Sequence, residues 1–123
     1  MAALTEGRHA AEFILSEGNG SVSRDAITIV SGAGKLAAGT VLGKITASGK
    51  YTASPATGSD GSQTAAAILL APVDATSADA TGVAVTRFSE VNGNTLTYDA
   101  SVDDATKRGA KVTQLATVGI IVR

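Results

Sequence analysis

The stretch Ala65-Ala66-Ala67-Ile68-Leu69-Leu70-Ala71 is the longest uninterrupted apolar run in this 123-residue chain. The run is too short for periodicity to separate a helix from a strand. Its flanks favour a buried strand, because the turn-forming pair Asp60-Gly61 precedes it and Pro72 follows it. The run therefore predicts a central strand in a β-rich core.

Further strand signals lie on both sides of this run. The β-branched segment Ile27-Thr28-Ile29-Val30 ends at the glycine-rich turn of residues 31–34. In residues 36–46, Gly43 stands inside an otherwise strand-like pattern, which predicts a bend or bulge. Other short strands are predicted at residues 50–52, 83–88 and 118–123, with polar loops at residues 53–62 and 74–81.

Two local signals concern the last third of the chain. Asn92-Gly93 predicts a β-hairpin whose returning strand is residues 95–98, because both glycine and asparagine tolerate positive φ. The pair Asp103-Asp104, followed by basic residues, matches a helix macrodipole, with Asp103 as the N-cap and Gly109 keeping the helix short.

These signals together predict a mostly β fold of the β-rich α+β type. Short strands form a barrel-like or β-tulip core in a single small domain, residues 24–123, with one short C-terminal helix. Residues 1–23 are rich in Ala, Gly, Ser and Glu and are predicted to form a flexible N-terminal arm.

The arm contains one large apolar cluster, Phe13-Ile14-Leu15. Such a cluster either packs onto the protein's own core or docks onto a partner. Burying each side chain is worth about 1.5–3 kcal/mol before ordering entropy is subtracted. Several arms presented by one oligomer would bind a partner with higher avidity than one arm alone.

Composition narrows the classes of function. Aromatic residues make up 3% of the chain and 14 residues are glycine, so an isolated monomer is expected to be under-packed and an oligomer is expected. A net charge of −1, with both signs scattered, argues against nucleic-acid binding and against a polybasic membrane contact. Residues 1–20 lack the pattern of a signal peptide or membrane span, so synthesis in the cytoplasm is expected.

No catalytic or metal-binding set can be assembled from these residues. The chain has no cysteine, and its single histidine, His9, lies in the predicted arm. The glycine-rich turn that ends at Lys35 lacks the first glycine and the hydroxyl residue of a phosphate-binding loop. We therefore expect a non-enzymatic protein without cofactor or metal.

Six segments together resemble the bacteriophage head decoration protein family, the lambda protein D type. In order, they are EGNGSVSRD at 17–25, AGTVLGKI at 38–45, DGSQTAAAIL at 60–69, PVDAT at 72–76, DATKR at 104–108 and GIIV at 119–122. Each segment alone is a weak signal, but their order and spacing are fairly specific, and the resemblance covers residues 12–123.

The resemblance implies a homotrimer on the outer surface of the virion, made in the host cytoplasm. Such trimers bind the major capsid protein at three-fold and quasi-three-fold sites of the expanded head and oppose the pressure of packaged DNA. It also implies that residues 12–24, here called the docking segment, contact the capsid. The implied contact residues are Glu12, Phe13, Ile14, Leu15, Ser16, Glu17, Asn19, Ser21, Val22, Ser23 and Arg24.

The alternative is a small carrier or ligand-binding module of the barrel-sandwich type. Residues 38–46 and the turn at Ser48-Gly49-Lys50 faintly resemble lipoyl-type carrier domains, which present an acceptor lysine at a hairpin tip. An acidic residue normally precedes that lysine, whereas Gly49 precedes Lys50 here.

Overall fold

The computed structural model describes residues 7–123. This part of the chain forms short strands, one 3-10 helix (Gly93–Thr95) and one α-helix, α1 (Ala105–Thr117). The strands are β1 (Ile14–Glu17), β2 (Arg24–Ile29), β3 (Gly34–Leu36), β4 (Val41–Lys44), β5 (Tyr51–Ala53), β6 (Ala65–Leu69), β7 (Val73–Ala75), β8 (Ala80–Val85), β9 (Ser89–Val91) and β10 (Ile120–Val122).

Five strands close into a barrel in the order β2-β5-β4-β6-β8. Neighbouring strands are antiparallel except β2 and β5, which meet in parallel at Ile29 and Tyr51. The predicted mostly β, barrel-like fold with one C-terminal helix is therefore confirmed. The apolar run that predicted a central strand forms β6, which lies between β4 and β8.

Strands β4 and β6 and the end of β8 are buried on both faces. One hydrophobic cluster draws side chains from every barrel strand and fills the barrel; its members include Ile29, Leu42, Ala67, Leu69 and Ala84. A second cluster covers the outside of β4, β6 and β8 with residues from α1 and from outside the barrel; its members include Phe13, Val41, Ile68, Val85, Leu115 and Ile120. A strand buried on both faces needs apolar residues at successive positions, which explains the unbroken run in β6.

The barrel is irregular where β4 meets β6. Leu42 pairs with Ala67 but Gly43 pairs with Ala65, so β6 carries one extra residue there, as in a β-bulge. A Cβ atom on Gly43 would overlap the backbone carbonyl of Ser62. The irregularity predicted at Gly43 is confirmed, with the extra residue in β6, and the close approach of the Ser62 backbone requires glycine at position 43.

A second sheet, in the order β1-β9-β10, lies outside the barrel. The hairpin predicted at Asn92-Gly93 is wrong, because Asn92 instead caps the 3-10 helix, with its side chain accepting a hydrogen bond from the Asn94 amide. Strand β9 pairs with β1 and β10, and residues 95–98 contribute only an isolated bridge between Thr97 and Thr40.

The predicted loop of residues 74–81 is also shorter than expected. Its first two residues end β7, which pairs with β3 in a two-stranded sheet, and its last two residues begin β8. The exposed turn between them holds Asp79, whose carboxylate accepts a hydrogen bond from the Ser31 amide. This bond ties the turn to the glycine-rich segment after β2.

Helix α1 begins one residue later than predicted and extends past Gly109. Asp104, and not Asp103, is the N-cap, and its carboxylate accepts from the Lys107 amide at 2.8 Å. Asp103 instead forms an ion pair with Lys107. The helix continues for eight residues beyond Gly109 to Thr117, because Leu115 is fully buried against the outer core cluster and packing outweighs the glycine penalty.

A buried lysine fastens α1 to the loop between β5 and β6. Lys111 is 2% exposed, and its ammonium donates to Ser54 Oγ at 2.9 Å and to the carbonyls of Pro55 and Gln63. All three ammonium donors are thereby satisfied. Burial lowers the pKa of Lys111, yet the site provides acceptors for every proton of the charged form.

Replacing Gly109 with alanine should stabilise the protein. A Cβ atom at this exposed helical position would meet nothing within 4 Å, and alanine reduces the backbone entropy lost on folding. We expect Gly109→Ala to raise the free energy of unfolding by about 0.5–1 kcal/mol, as measured by urea denaturation. Gly119→Ala is the contrasting variant: Gly119 has a φ of +84°, so its replacement should destabilise. A neutral or destabilising Gly109→Ala would contradict this expectation.

Candidate functional site

The structure separates the three members of the apolar cluster in the predicted arm. Phe13 is fully buried in the outer core cluster, whereas Leu15 is 55% exposed. Ile14 is half-buried and packs against the same cluster. In this conformation Phe13 serves the protein's own core, and Leu15 is the member of the cluster that is presented to solvent.

Leu15 owes its exposure to a break in the register of β1. Ile14 pairs with Val91 and Ser16 pairs with the next residue of β9, Glu90, so Leu15 has no partner across the strand pair. An extra residue of this kind bends an edge strand and re-aims a side chain. Strand β1 is also an edge of its sheet, since its only strand partner among residues 7–123 is β9. The sheet thus offers an apolar side chain beside a strand edge.

The described part of the predicted arm is attached to the rest of the domain. The Ala11 amide donates to the Leu70 carbonyl at 2.9 Å, β1 pairs with β9, and the Gly18 amide donates to the Phe88 carbonyl. Residues 11–23 therefore pack onto the domain in this structure, with Phe13 in the core. The division of the chain into a flexible arm, residues 1–23, and a domain, residues 24–123, stays a prediction. Residues 1–6 lie outside the described residues.

The remaining predicted contact residues divide into buried and exposed positions. Ser23 is fully buried and its hydroxyl donates to the Phe88 carbonyl, so it fixes the turn between β1 and β2. Arg24 and Glu17 form a bidentate ion pair, which raises the pKa of the Arg24 guanidinium. The predicted contact residues that are exposed are Glu12, Leu15, Ser16, Asn19, Ser21 and Val22.

Phe88 is a surface residue that the sequence pattern did not single out. It is 62% exposed and adopts a φ of 51°, a conformation that is strained for an aromatic residue. With Ser16, Gly119 and Ile121 it lines a shallow groove across the β1-β9-β10 sheet. Ser89 at this groove is 5% exposed, and its hydroxyl has no hydrogen-bond partner in the part of the chain that the structure describes. The sequence signal that could have identified Phe88 is its aromatic side chain, because aromatic residues make up only 3% of the chain.

The Glu90 side chain on β9 links β1 to the residue that follows β10. Its carboxylate accepts from Arg123 Nε at 2.8 Å and from Ser16 Oγ at 3.0 Å. The Arg123 hydrogen bond, and then the Ser16 hydrogen bond, hold the pKa of Glu90 below its ordinary value of 4.5. Because the folded state favours the ionised carboxylate, this stabilisation is present above pH 4.5 and is lost as the pH falls through the lower, folded-state pKa.

Replacing Glu90 with glutamine should reduce the acid sensitivity of the fold. Glutamine cannot lose charge as the pH falls, so Glu90→Gln should show a shallower decline in melting temperature between about pH 6 and about pH 3 than the parent. Other carboxylates, such as Asp25 beside Arg87, also have lowered pKa values, so the decline should shrink and not vanish. An unchanged slope in the variant would rule out this role for Glu90.

The two remaining candidate residues are His9 and Lys50. His9 lies in a surface pocket with Arg8 and Glu12, and Lys50 is ion-paired with Asp79 at 2.6 Å. Within residues 7–123, no three histidine or acidic side chains come close enough to hold a metal ion. Over the same residues, no helix is both long and apolar enough to cross a membrane.

Comparison with known proteins points to a family of phage head proteins. The family model described as bacteriophage lambda head decoration protein D matches residues 3–120, nearly the whole chain. A search of curated proteins found no match. The matched region contains the entire barrel, α1 and the docking segment.

Proposed function

Since the chain belongs to the family of bacteriophage lambda head decoration protein D, we propose that it binds as a homotrimer to the outer surface of the expanded phage head. It occupies three-fold and quasi-three-fold sites and opposes the internal pressure of packaged DNA. The single observation that carries this proposal is the family match over residues 3–120. The carrier alternative gains no comparable support, because Lys50 is engaged in an ion pair.

The proposed mechanism is mechanical and requires no bond-making step. Each trimer bridges neighbouring copies of the major capsid protein, so expansion of the shell has to break several contacts at once. Individual contacts of modest strength are sufficient, because linked contacts act with a high effective concentration. The scarcity of aromatic residues and the abundance of glycine support a protein that is stabilised by assembly.

The exposed part of the docking segment is the proposed contact with the major capsid protein. Leu15 offers an apolar side chain, and β1 offers a strand edge to which another extended segment can be added. Phe13 and Ser23 act indirectly, by holding this segment on the barrel. The proposal thus assigns docking to the surface positions and support to the buried ones.

Co-sedimentation with phage heads tests the proposed function. Purified protein is mixed with expanded, DNA-filled heads and, in parallel, with immature heads of the same phage. We expect the protein to pellet with the expanded heads alone. Failure to bind expanded heads, or equal binding to both forms, would contradict the proposal. Light scattering in solution tests the oligomer separately, with an expected mass three times the 12.1 kDa of the chain.

Replacing Leu15 with aspartate should weaken capsid binding without unfolding the protein. Burial of a leucine side chain is worth about 1.5–3 kcal/mol, so its loss should reduce the affinity for expanded heads at least about tenfold. Val83→Asp is the matched control, because Val83 is 39% exposed but lies on barrel strand β8. Equal binding by the two variants, with both folded by circular dichroism, would exclude Leu15 as a contact.

A further inference from the structure

The chain contains two Asn-Gly dipeptides, Asn19-Gly20 and Asn92-Gly93. The two differ in the hydrogen bonds and the crowding around them. In an Asn-Gly pair the glycine amide nitrogen can attack the asparagine side chain, because glycine has no Cβ to hinder the approach. From their contacts we propose that Asn19 is a site of spontaneous deamidation in the folded protein, and that Asn92 is protected.

The Asn19 site has the freedom that the reaction requires. Asn19 and Gly20 are both exposed, and a Cβ atom on Gly20 would meet nothing within 4 Å. Within residues 7–123, neither the Asn19 side-chain amide nor the Gly20 backbone amide makes a hydrogen bond. Local rearrangement of this turn therefore breaks no bond of either reacting group.

The Asn92 site has both reacting groups held. The Asn92 side-chain oxygen accepts from the Asn94 amide at 3.0 Å, and the Gly93 amide donates to the Arg123 carbonyl at 3.0 Å. Gly93 is also crowded, since an added Cβ atom would lie 2.9 Å from a methyl group of Val122. Attack at this site would first have to release the 3-10 helix from the end of β10.

The chemistry needs only water and hydroxide. Hydroxide removes the proton of the Gly20 amide, and the nitrogen then attacks Cγ of Asn19. The bond from Cγ to the side-chain nitrogen breaks, and ammonia leaves after that nitrogen takes a proton from water. Water then opens the resulting cyclic imide at either carbonyl and yields aspartate or isoaspartate. The turn gains one negative charge, and isoaspartate also lengthens its backbone.

Peptide mapping of the ageing protein tests the proposal. Trypsin releases Asn19 in peptide 9–24 and Asn92 in peptide 88–107. Each site is followed in mildly alkaline buffer, folded and in guanidinium chloride, so that each has its own unfolded reference. We expect folding to change the Asn19 rate by less than about threefold and to slow Asn92 at least about tenfold. Equal slowing of the two sites by folding would overturn the proposal.

A charge-based readout provides a second test. Ion-exchange chromatography should resolve acidic species that accumulate with age in the parent protein. Asn19→Gln should abolish most of this accumulation, because a glutamine side chain would have to form a less favourable six-membered ring. Undiminished acidic species in Asn19→Gln would contradict the assignment.

One consequence rests on the proposed function, because Asn19 lies in the docking segment. Docking on the shell should shield the turn and slow deamidation of Asn19 in head-bound protein relative to free protein. The deamidation of Asn19 and the capsid contact at its turn can be contradicted independently. If Asn19 deamidates at the same rate on heads and in free protein, the deamidation site stands and the result argues against a capsid contact at this turn.

Discussion

Gly43→Ala is expected to destabilise the protein by at least about 3 kcal/mol, because there is no room for even one methyl group at this position. A Cβ atom on Gly43 would overlap the carbonyl oxygen, carbon and Cα of Ser62. All three are backbone atoms, which cannot move away as the end of a flexible side chain could. Relief would require moving the loop before β6, which Lys111 and Ser54 anchor by hydrogen bonds.

Gly82→Ala is the matched control for this prediction, since Gly82 also lies in a barrel strand. Its added Cβ atom would lie 3.0 Å from a side-chain methyl of Val73, which can give way, so its cost should not exceed about 1 kcal/mol. Both free energies of unfolding are measured in urea. Equal stability of Gly43→Ala and the parent would refute the backbone contact as the reason for glycine at position 43.

Phe13→Ala should cost about 3–5 kcal/mol of unfolding free energy, which is typical of removing a fully buried aromatic side chain. Phe13 is 0% exposed and belongs to the outer core cluster. Its carbonyl also accepts from the Asn92 amide at 2.8 Å. Loss of the ring should therefore loosen β1, visible as faster amide hydrogen exchange in residues 14–18 than in the barrel strands.

Leu15→Ala gives the contrast two residues away. Because Leu15 is 55% exposed, its truncation should change the free energy of unfolding by no more than about 0.5 kcal/mol. A large loss of stability in Leu15→Ala, or a small one in Phe13→Ala, would contradict the division of this cluster into a core residue and a surface residue.

The apolar cluster that contains Phe13 and Leu15 shows what local sequence patterns can and cannot predict. The sequence placed three large apolar residues in a polar, glycine-rich segment and left open whether they pack inward or dock outward. The structure divides them, because the register break in β1 directs neighbouring side chains differently. That break is defined only relative to β9, a strand more than seventy residues later in the chain.

Local sequence patterns were sufficient to predict the β-rich class, the central apolar strand, the irregularity at Gly43 and the helix near the C-terminus. These features depend on neighbouring residues, on local turn chemistry and on the alternation of apolar side chains. The six family-like segments also required only their order along the chain, and the family match over residues 3–120 agrees with them.

Asn92 and Asn19 both precede glycine, but their different environments follow from contacts between distant segments of the chain. Asn92 caps a 3-10 helix and not a hairpin, because Gly93 bonds to Arg123 at the end of the chain. The Asn19 side chain makes no hydrogen bond within residues 7–123, because the strands around its turn pair elsewhere. The physical reason is that hydrogen bonds between distant segments hold the groups at Asn92 and leave those at Asn19 unbonded, and no local pattern encodes such bonds.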